Sequence, residues 1–102
     1  MELFNSIIGF EWDEGNIGKN WIKHKVSNKE CEEVFFNEPI IILNDEKHSN
    51  EERRYLCFGK TEANRKLTII FTLRNNLVRI ISAREQNRKE KRFYNEEDKK
   101  NS

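Results

Sequence analysis

Long apolar runs are missing from this sequence. No stretch approaches the roughly 18 apolar residues that a membrane-spanning helix needs, so a helical membrane protein is not expected. Cysteine is scarce. Cys31 and Cys57 show no short-range pairing pattern, which points to a reduced cytosolic protein rather than a disulfide-stapled one. Together with His24 and His48 they supply four zinc ligands in number, but their spacings fit no zinc signature, so no metal and no cofactor is expected. No glycine-rich loop suited to cradling phosphate is present. Neither serine nor cysteine sits in a nucleophile motif. Met1 to Phe10 lacks the basic start and the long apolar run of a signal peptide, so the expectation is a soluble, cytoplasmic chain.

A net charge of one sign is lacking too, since the total is +1. That total hides an asymmetry. Residues 1–52 hold 5 Lys/Arg against 12 Asp/Glu (−7), and residues 53–102 hold 14 against 6 (+8). The basic half suits a polyanionic partner; the alternative is a dipolar surface with no special partner. Seven Phe and two Trp supply mass for one core in one domain. The ordered part is expected over about residues 7–96, with residues 97–102 as a frayed tail.

Along the chain, Ile7 to Trp12 is read as an edge strand. A helix follows to about Lys25, with Asp13 as its N-cap. Ile17, Trp21 and His24 fall on its one apolar face, although Gly15 and Gly18 weaken it. Ser27 and Glu30 form a capping box for a second helix carrying Cys31, Val34 and Phe35, which Pro39 ends. Ile40 to Leu43 reads as a buried strand and residues 44–52 as an exposed loop. Tyr55–Phe58, Leu67–Arg74 and Leu77–Ala83 read as strands. A second capping box, Ser82 to Glu85, opens a last helix from Arg84 to about Glu96. Strands joined by short loops favour an antiparallel sheet, so the class is α+β with helices packed on one face.

Asn75-Asn76 tolerates positive φ and suits a two-residue hairpin. That turn pairs Arg74 with Leu77, Thr72 with Arg79 and Ile70 with Ile81. Cross-strand partners share a face, so Thr72, Arg74 and Arg79 meet on an open face. Ile69, Phe71, Leu73, Val78, Ile80 and Ser82 form the other, core face. Two arginines and a threonine beside apolar side chains suit anion binding; the alternative is solvated charge paired with Asp or Glu.

These residues resemble a known family. Phe10-Glu11-Trp12-Asp13, Asn20, Lys23-His24, Val26-Ser27, the acidic-then-Arg strand Glu51 to Gly59, Thr72-Leu73-Arg74 and Arg79-Ile80-Ile81-Ser82-Ala83-Arg84 are similar in order to the BrnT toxins. Arg88, Arg92 and Tyr94 continue the likeness. The resemblance implies a RelE-like fold and a metal-independent, RNA-cleaving toxin of a type II toxin–antitoxin pair. It also implies a BrnA-like ribbon-helix-helix antitoxin that binds DNA, with a two-plus-two complex. Lys25 departs from the pattern, where the family has Gly after the Lys-His pair.

Metal-free cleavage of RNA needs a base, a proton donor and cations for the phosphorane. His24 is the acid/base candidate, histidine being the side chain most suited to proton transfer near neutral pH; its structural alternative is a hydrogen bond holding the helix end. Arg54, Arg74 and Arg79 are the phosphate-stabilising candidates. Arg84 joins them, since a cation in a first helical turn opposes the dipole. Lys23, Thr72, Arg88 and Arg92 are candidates for binding RNA phosphates. Ser82 is explained by its cap. Trp12 and Trp21 suit base stacking or the core. The alternatives to a ribonuclease are a non-catalytic RNA- or protein-binding module and an inactive toxin kept as the antitoxin's co-repressor.

Overall fold

The computed structural model describes residues 6–100, apart from the side chain of His48. Five strands form one sheet: β1 (Gly9–Phe10), β2 (Ile41–Asn44), β3 (Arg54–Lys60), β4 (Lys66–Arg74) and β5 (Leu77–Glu85). The helices are α1 (Lys19–His24), α2 (Asn28–Val34) and α3 (Arg88–Lys100), with a 3-10 turn at Glu46–His48. The strand order is β1-β5-β4-β3-β2. The class is α+β, as expected. The sheet is mixed rather than antiparallel, because Gly9 and Phe10 pair in parallel with Leu77 and Val78. The short-loop argument for antiparallel pairing reaches only consecutive strands, and β1 and β5 are not consecutive.

Asn75 and Asn76 take φ of 53° and 64°, the positive pair of a tight hairpin. Arg74 pairs with Leu77 and Thr72 with Arg79, as the turn requires. The ladder then shifts. Phe71 pairs with Ile80 but Ile70 with Ser82, so Ile81 is the extra residue of a bulge and the expected Ile70–Ile81 pair does not form. The bulge keeps Ile80 and Ala83 both fully buried. It also moves Ser82 to the face it shares with Ile70, the reverse of the expected side.

Ser82 is therefore not a helix cap. β5 continues to Glu85, and its pairing with β4 occupies the backbone that a cap would need. The last helix is capped by Asn87 and Glu90, whose side chains and backbone amides bond reciprocally at 2.8 and 2.9 Å. It runs to Lys100, past the point where the tail was expected to fray.

β2 is an edge strand, not a buried one: it pairs only with β3, and Leu43 is exposed. Ser27 caps α2 as the sequence requires, with Glu30 reciprocating. α2 lies against β3 where Gly59 faces Val34. Phe58, one residue earlier, points to the opposite face and meets Phe93 of α3, with ring centroids 5.9 Å apart. Tyr94 is fully buried, its hydroxyl donating to the Pro39 carbonyl at 2.7 Å.

The first helix departs most from expectation. Residues 14–18 are turns, and Asp13 accepts from the Gly15 amide instead of capping a helix. Ile17 and Trp21 face outward, each about half exposed (51% and 54%), while Asn20 faces in at 2%. The cause is the edge of β5. Beyond the two-residue β1, that strand has backbone groups left to satisfy. Asn16 donates to the Ile80 carbonyl and Asn20 accepts from the Ala83 amide. Amide side chains do this; apolar ones cannot.

Candidate active site

Arg54, Thr72 and Arg79 stand side by side on β3, β4 and β5, and cross-strand partners share a face. Arg74 lies two residues further along the same face. Arg74 and Arg79 thus share a face with Thr72, as the hairpin requires, on the side of the sheet away from α2, and Arg54 stands beside them.

The arginines do not stand alone. Arg79 donates to Glu11 Oε1 at 2.9 Å and grips both oxygens of Asp13 at 2.8 and 3.0 Å. Arg74 grips both oxygens of Glu52 at 2.6 and 2.8 Å, and its Nη1 lies 3.6 Å from the Glu11 oxygen that Arg79 holds. Glu11 therefore bridges the two arginines through one oxygen. The Arg79 hydrogen bond holds the Asp13 carboxyl below its ordinary range, helped by the Gly15 amide. The Arg74 hydrogen bond does the same for Glu52. Both guanidinium pKa values are raised in turn, by Asp13 for Arg79 and by Glu52 for Arg74. A Cβ on Gly15 would sit 2.8 Å from Arg79 Nη2, so the absence of a side chain there admits the loop against the arginine.

A cavity of about 170 Å³ opens between Lys19, Ile81, Arg54, Arg74 and Arg79. A larger hollow of about 510 Å³ is lined by Arg54, Arg74 and Glu52 together with Asn50 and Glu51. The backbone amide of Arg54 is bonded to Ser49, but no described hydrogen bond or ion pair engages its guanidinium.

The remaining candidates lie elsewhere. Thr72 is 2% exposed and its hydroxyl donates to the Arg53 carbonyl at 2.8 Å, so it builds the floor rather than offering a free donor. Arg84 pairs with Glu90 at 2.7 and 2.9 Å. It stands opposite Thr68, four residues from Thr72 and so about 13 Å along the strand. Arg84 lies on a strand, not in a first helical turn. His24 is exposed on α1, and its carbonyl accepts from Arg65 at 3.4 Å. Arg65 precedes β4, about 20 Å along the strand from Thr72. The structure does not bring His24 into the arginine cluster. Lys23, Arg88 and Arg92 are exposed, with no described side-chain partner. Trp12 is held by Glu32 at 2.8 Å. Trp21 is exposed under the Lys25 ammonium. Among the described residues, no group of three His, Cys, Asp or Glu side chains converges to hold a metal ion.

Glu11, Asp13, Glu52 and Lys19 are not among the site residues expected from the sequence, where Asp13 reads as a helix cap. A signal exists for two of them: Glu11 and Asp13 flank Trp12 in an extended segment, where alternate residues share a face.

One protein family matches residues 12–90: ribonuclease toxin, BrnT, of type II toxin–antitoxin system. The chain belongs to the BrnT family. None of the curated proteins matches it at a significant level. The BrnT match takes in the four strands from β2 to β5, α1, α2 and the start of α3. It therefore includes Asp13, Glu52 and all three clustered arginines; Glu11 and Arg92 fall outside it. The family is one of ribonuclease toxins whose type II pairing implies an antitoxin partner. No helix among the described residues is long and apolar enough to cross a membrane.

Proposed function

We propose that this BrnT toxin cleaves RNA without a metal ion at the Arg54, Arg74 and Arg79 cluster. The observation that carries this reading is the convergence of three guanidinium groups from adjacent strands beside the bridging carboxylate of Glu11. In the free protein the carboxylates occupy the arginines. An RNA phosphate displaces them and takes their place, since guanidinium binds either group in the same forked geometry.

The 2′-oxygen of the ribose then attacks phosphorus, and the bond from phosphorus to the 5′-oxygen breaks. The proton of the 2′-hydroxyl passes to a carboxylate, and the leaving 5′-oxygen takes a proton from solvent or a side chain. The products are a 2′,3′-cyclic phosphate and a 5′-hydroxyl. Glu11 is the base in this scheme, because no described hydrogen bond engages its second oxygen. The guanidinium groups stabilise the charge that grows on the phosphorane. His24, which does not line the arginine cavity, contacts substrate outside the reacting centre.

The wider reading is a single cytoplasmic domain of RelE-like fold. A BrnA-like ribbon-helix-helix antitoxin silences it by covering the arginine face, in a two-plus-two complex.

Incubating the purified chain with RNA in EDTA tests the proposal. RNA shortened to fragments with cyclic phosphate ends, and left intact by Arg79→Ala, is the expected result. RNA that stays whole but shifts on a gel overturns it and favours a binding module. A chain that binds antitoxin yet leaves RNA and growth untouched favours an inactive co-repressor.

A further inference from the structure

α1 is fixed along the edge of β5 by Asn16 and Asn20. With Asn20 pointing in, helical periodicity puts Lys19 and Lys23 on one flank and Trp21 on the other. Lys19 lines the same cavity as the three arginines. That fixes which way the lysine flank faces: toward the open side of the sheet. Lys23 follows one turn later, its Cβ about 5–6 Å from that of Lys19. Both lysines are exposed, and no described hydrogen bond or ion pair engages either ammonium. They differ in this from Arg74 and Arg79, whose guanidinium groups already hold carboxylates. A polyanion therefore meets the lysines without having to displace anything.

We infer that α1 carries the RNA away from the arginine cluster, with Lys19 binding the phosphate next to the scissile one and Lys23 the phosphate beyond it. This rests on the arginine cluster being the phosphate site. The ligand is single-stranded RNA, whose flexible backbone can lower one phosphate into the hollow of about 170 Å³ between Lys19 and the arginines while its neighbours meet the lysines. The two lysines act on binding. They raise the occupancy of the site and leave the cleavage step to the arginines and Glu11.

The test uses the full chain and a short single-stranded RNA whose 2′-hydroxyls are methylated, so that it binds without being cleaved. Fluorescence anisotropy over a salt series gives the affinity and its salt slope. Lys19→Ala and Lys23→Ala are each expected to weaken binding severalfold at low salt. Each should also reduce the slope of log affinity against log salt by about 0.7, the value for one phosphate contact on a single strand. Lys29→Ala, on the exposed surface of α2, should match the wild type. Slopes for Lys19→Ala and Lys23→Ala equal to the wild type overturn the inference, as does an equal loss in Lys29→Ala, which would mean diffuse charge. Arg79→Ala separates the two readings. If it weakens binding while the lysine variants do not, the arginine site stands and the path along α1 falls. If it too is without effect, both fall.

Discussion

Arg79 Nη1 lies 2.9 Å from Glu11 Oε1, across 68 residues of sequence. The contact puts a candidate base against a candidate phosphate ligand, and the two have separable kinetic signatures. Arg79→Ala removes a donor aimed at developing charge and is expected to lower kcat by about 10²–10³. Glu11→Gln keeps the shape and loses the base, and is expected to lower kcat by about 10²–10⁴. Because the Gln variant no longer offers a carboxylate to compete with phosphate, its affinity for RNA should equal or exceed that of the wild type. Single-turnover cleavage alongside binding of a methylated RNA reads both quantities. Unchanged cleavage in Glu11→Gln removes Glu11 from the role of base.

Arg84 sets a pH dependence of stability instead of joining the arginine cluster. Its hydrogen bonds pull the Glu90 carboxyl from an ordinary 4.5 to about 2, helped by the Asn87 amide and the Thr68 hydroxyl. A lowered carboxyl pKa stabilises the fold above the unfolded value and stops doing so as pH falls through the folded one. The contribution is therefore full above about pH 5 and is lost between about pH 4.5 and 2. Allowing for the partial exposure of both side chains, it is worth about 1–2 kcal/mol at neutral pH. Glu90→Gln should be less stable than the wild type by that amount at pH 7 in urea unfolding, with the gap closing by about pH 2. A gap that stays constant across this range means that the ion pair contributes nothing.

Lys25 takes the left-handed conformation, with φ 55° and ψ 37°. Its amide bonds to the Trp21 carbonyl, the left-handed closure of a helix end that usually falls on glycine, and the Val26 amide bonds to the Asn20 carbonyl. The backbone thus takes a conformation that favours glycine in spite of the lysine. A side chain there costs about 1–2 kcal/mol, offset in part by the Lys25 ammonium 5.3 Å from the centre of the Trp21 ring. Lys25→Gly is expected to raise Tm by a few degrees. Lys25→Ala, which keeps the strain and loses the ring contact, is expected to lower it. Equal Tm values for the two variants contradict this account.

What was readable in the sequence follows from which physical rule decided each element. Asn75-Asn76 was readable because few residue types accept positive φ, and the register near it followed. The bulge at Ile81 was not, because Ile80 and Ile81 are equally apolar and either fits the core face. Periodicity fails at α1 because it assumes that a helix buries apolar side chains. Here the unsatisfied edge of β5 selected Asn16 and Asn20 instead, a demand visible only once β1 is known to be two residues long. Arg74 and Arg79 are legible from the hairpin register, which puts both on one face, whereas Arg54 enters through the family resemblance. Their carboxylate partners were missed because Glu11 and Asp13 arrive from a different part of the chain through the parallel pairing of β1 with β5.

Gly59 and Val34 offer the sharpest test of how the helical layer seats on the sheet. A Cβ built on Gly59 would lie 2.5 Å from Val34 Cγ1, well inside the contact distance of two carbons. Both atoms sit in a fully packed region, since Val34 and Cys57 are 0% exposed, so the clash has nowhere to go without moving α2 off β3. Gly59→Ala is expected to destabilise the fold by about 1–3 kcal/mol. Val34→Ala alone leaves a small cavity and costs a comparable amount. Combined, the added methyl fills part of the space that the lost one vacates, so the double variant should be more stable than the sum of the two losses implies. Because the two residues touch, a coupling of about 0.5–3 kcal/mol is the range to look for. Urea unfolding of the four proteins measures it. Simple additivity would mean that α2 is free to shift, and that the contact between Gly59 and Val34 does not set the spacing of helix and sheet.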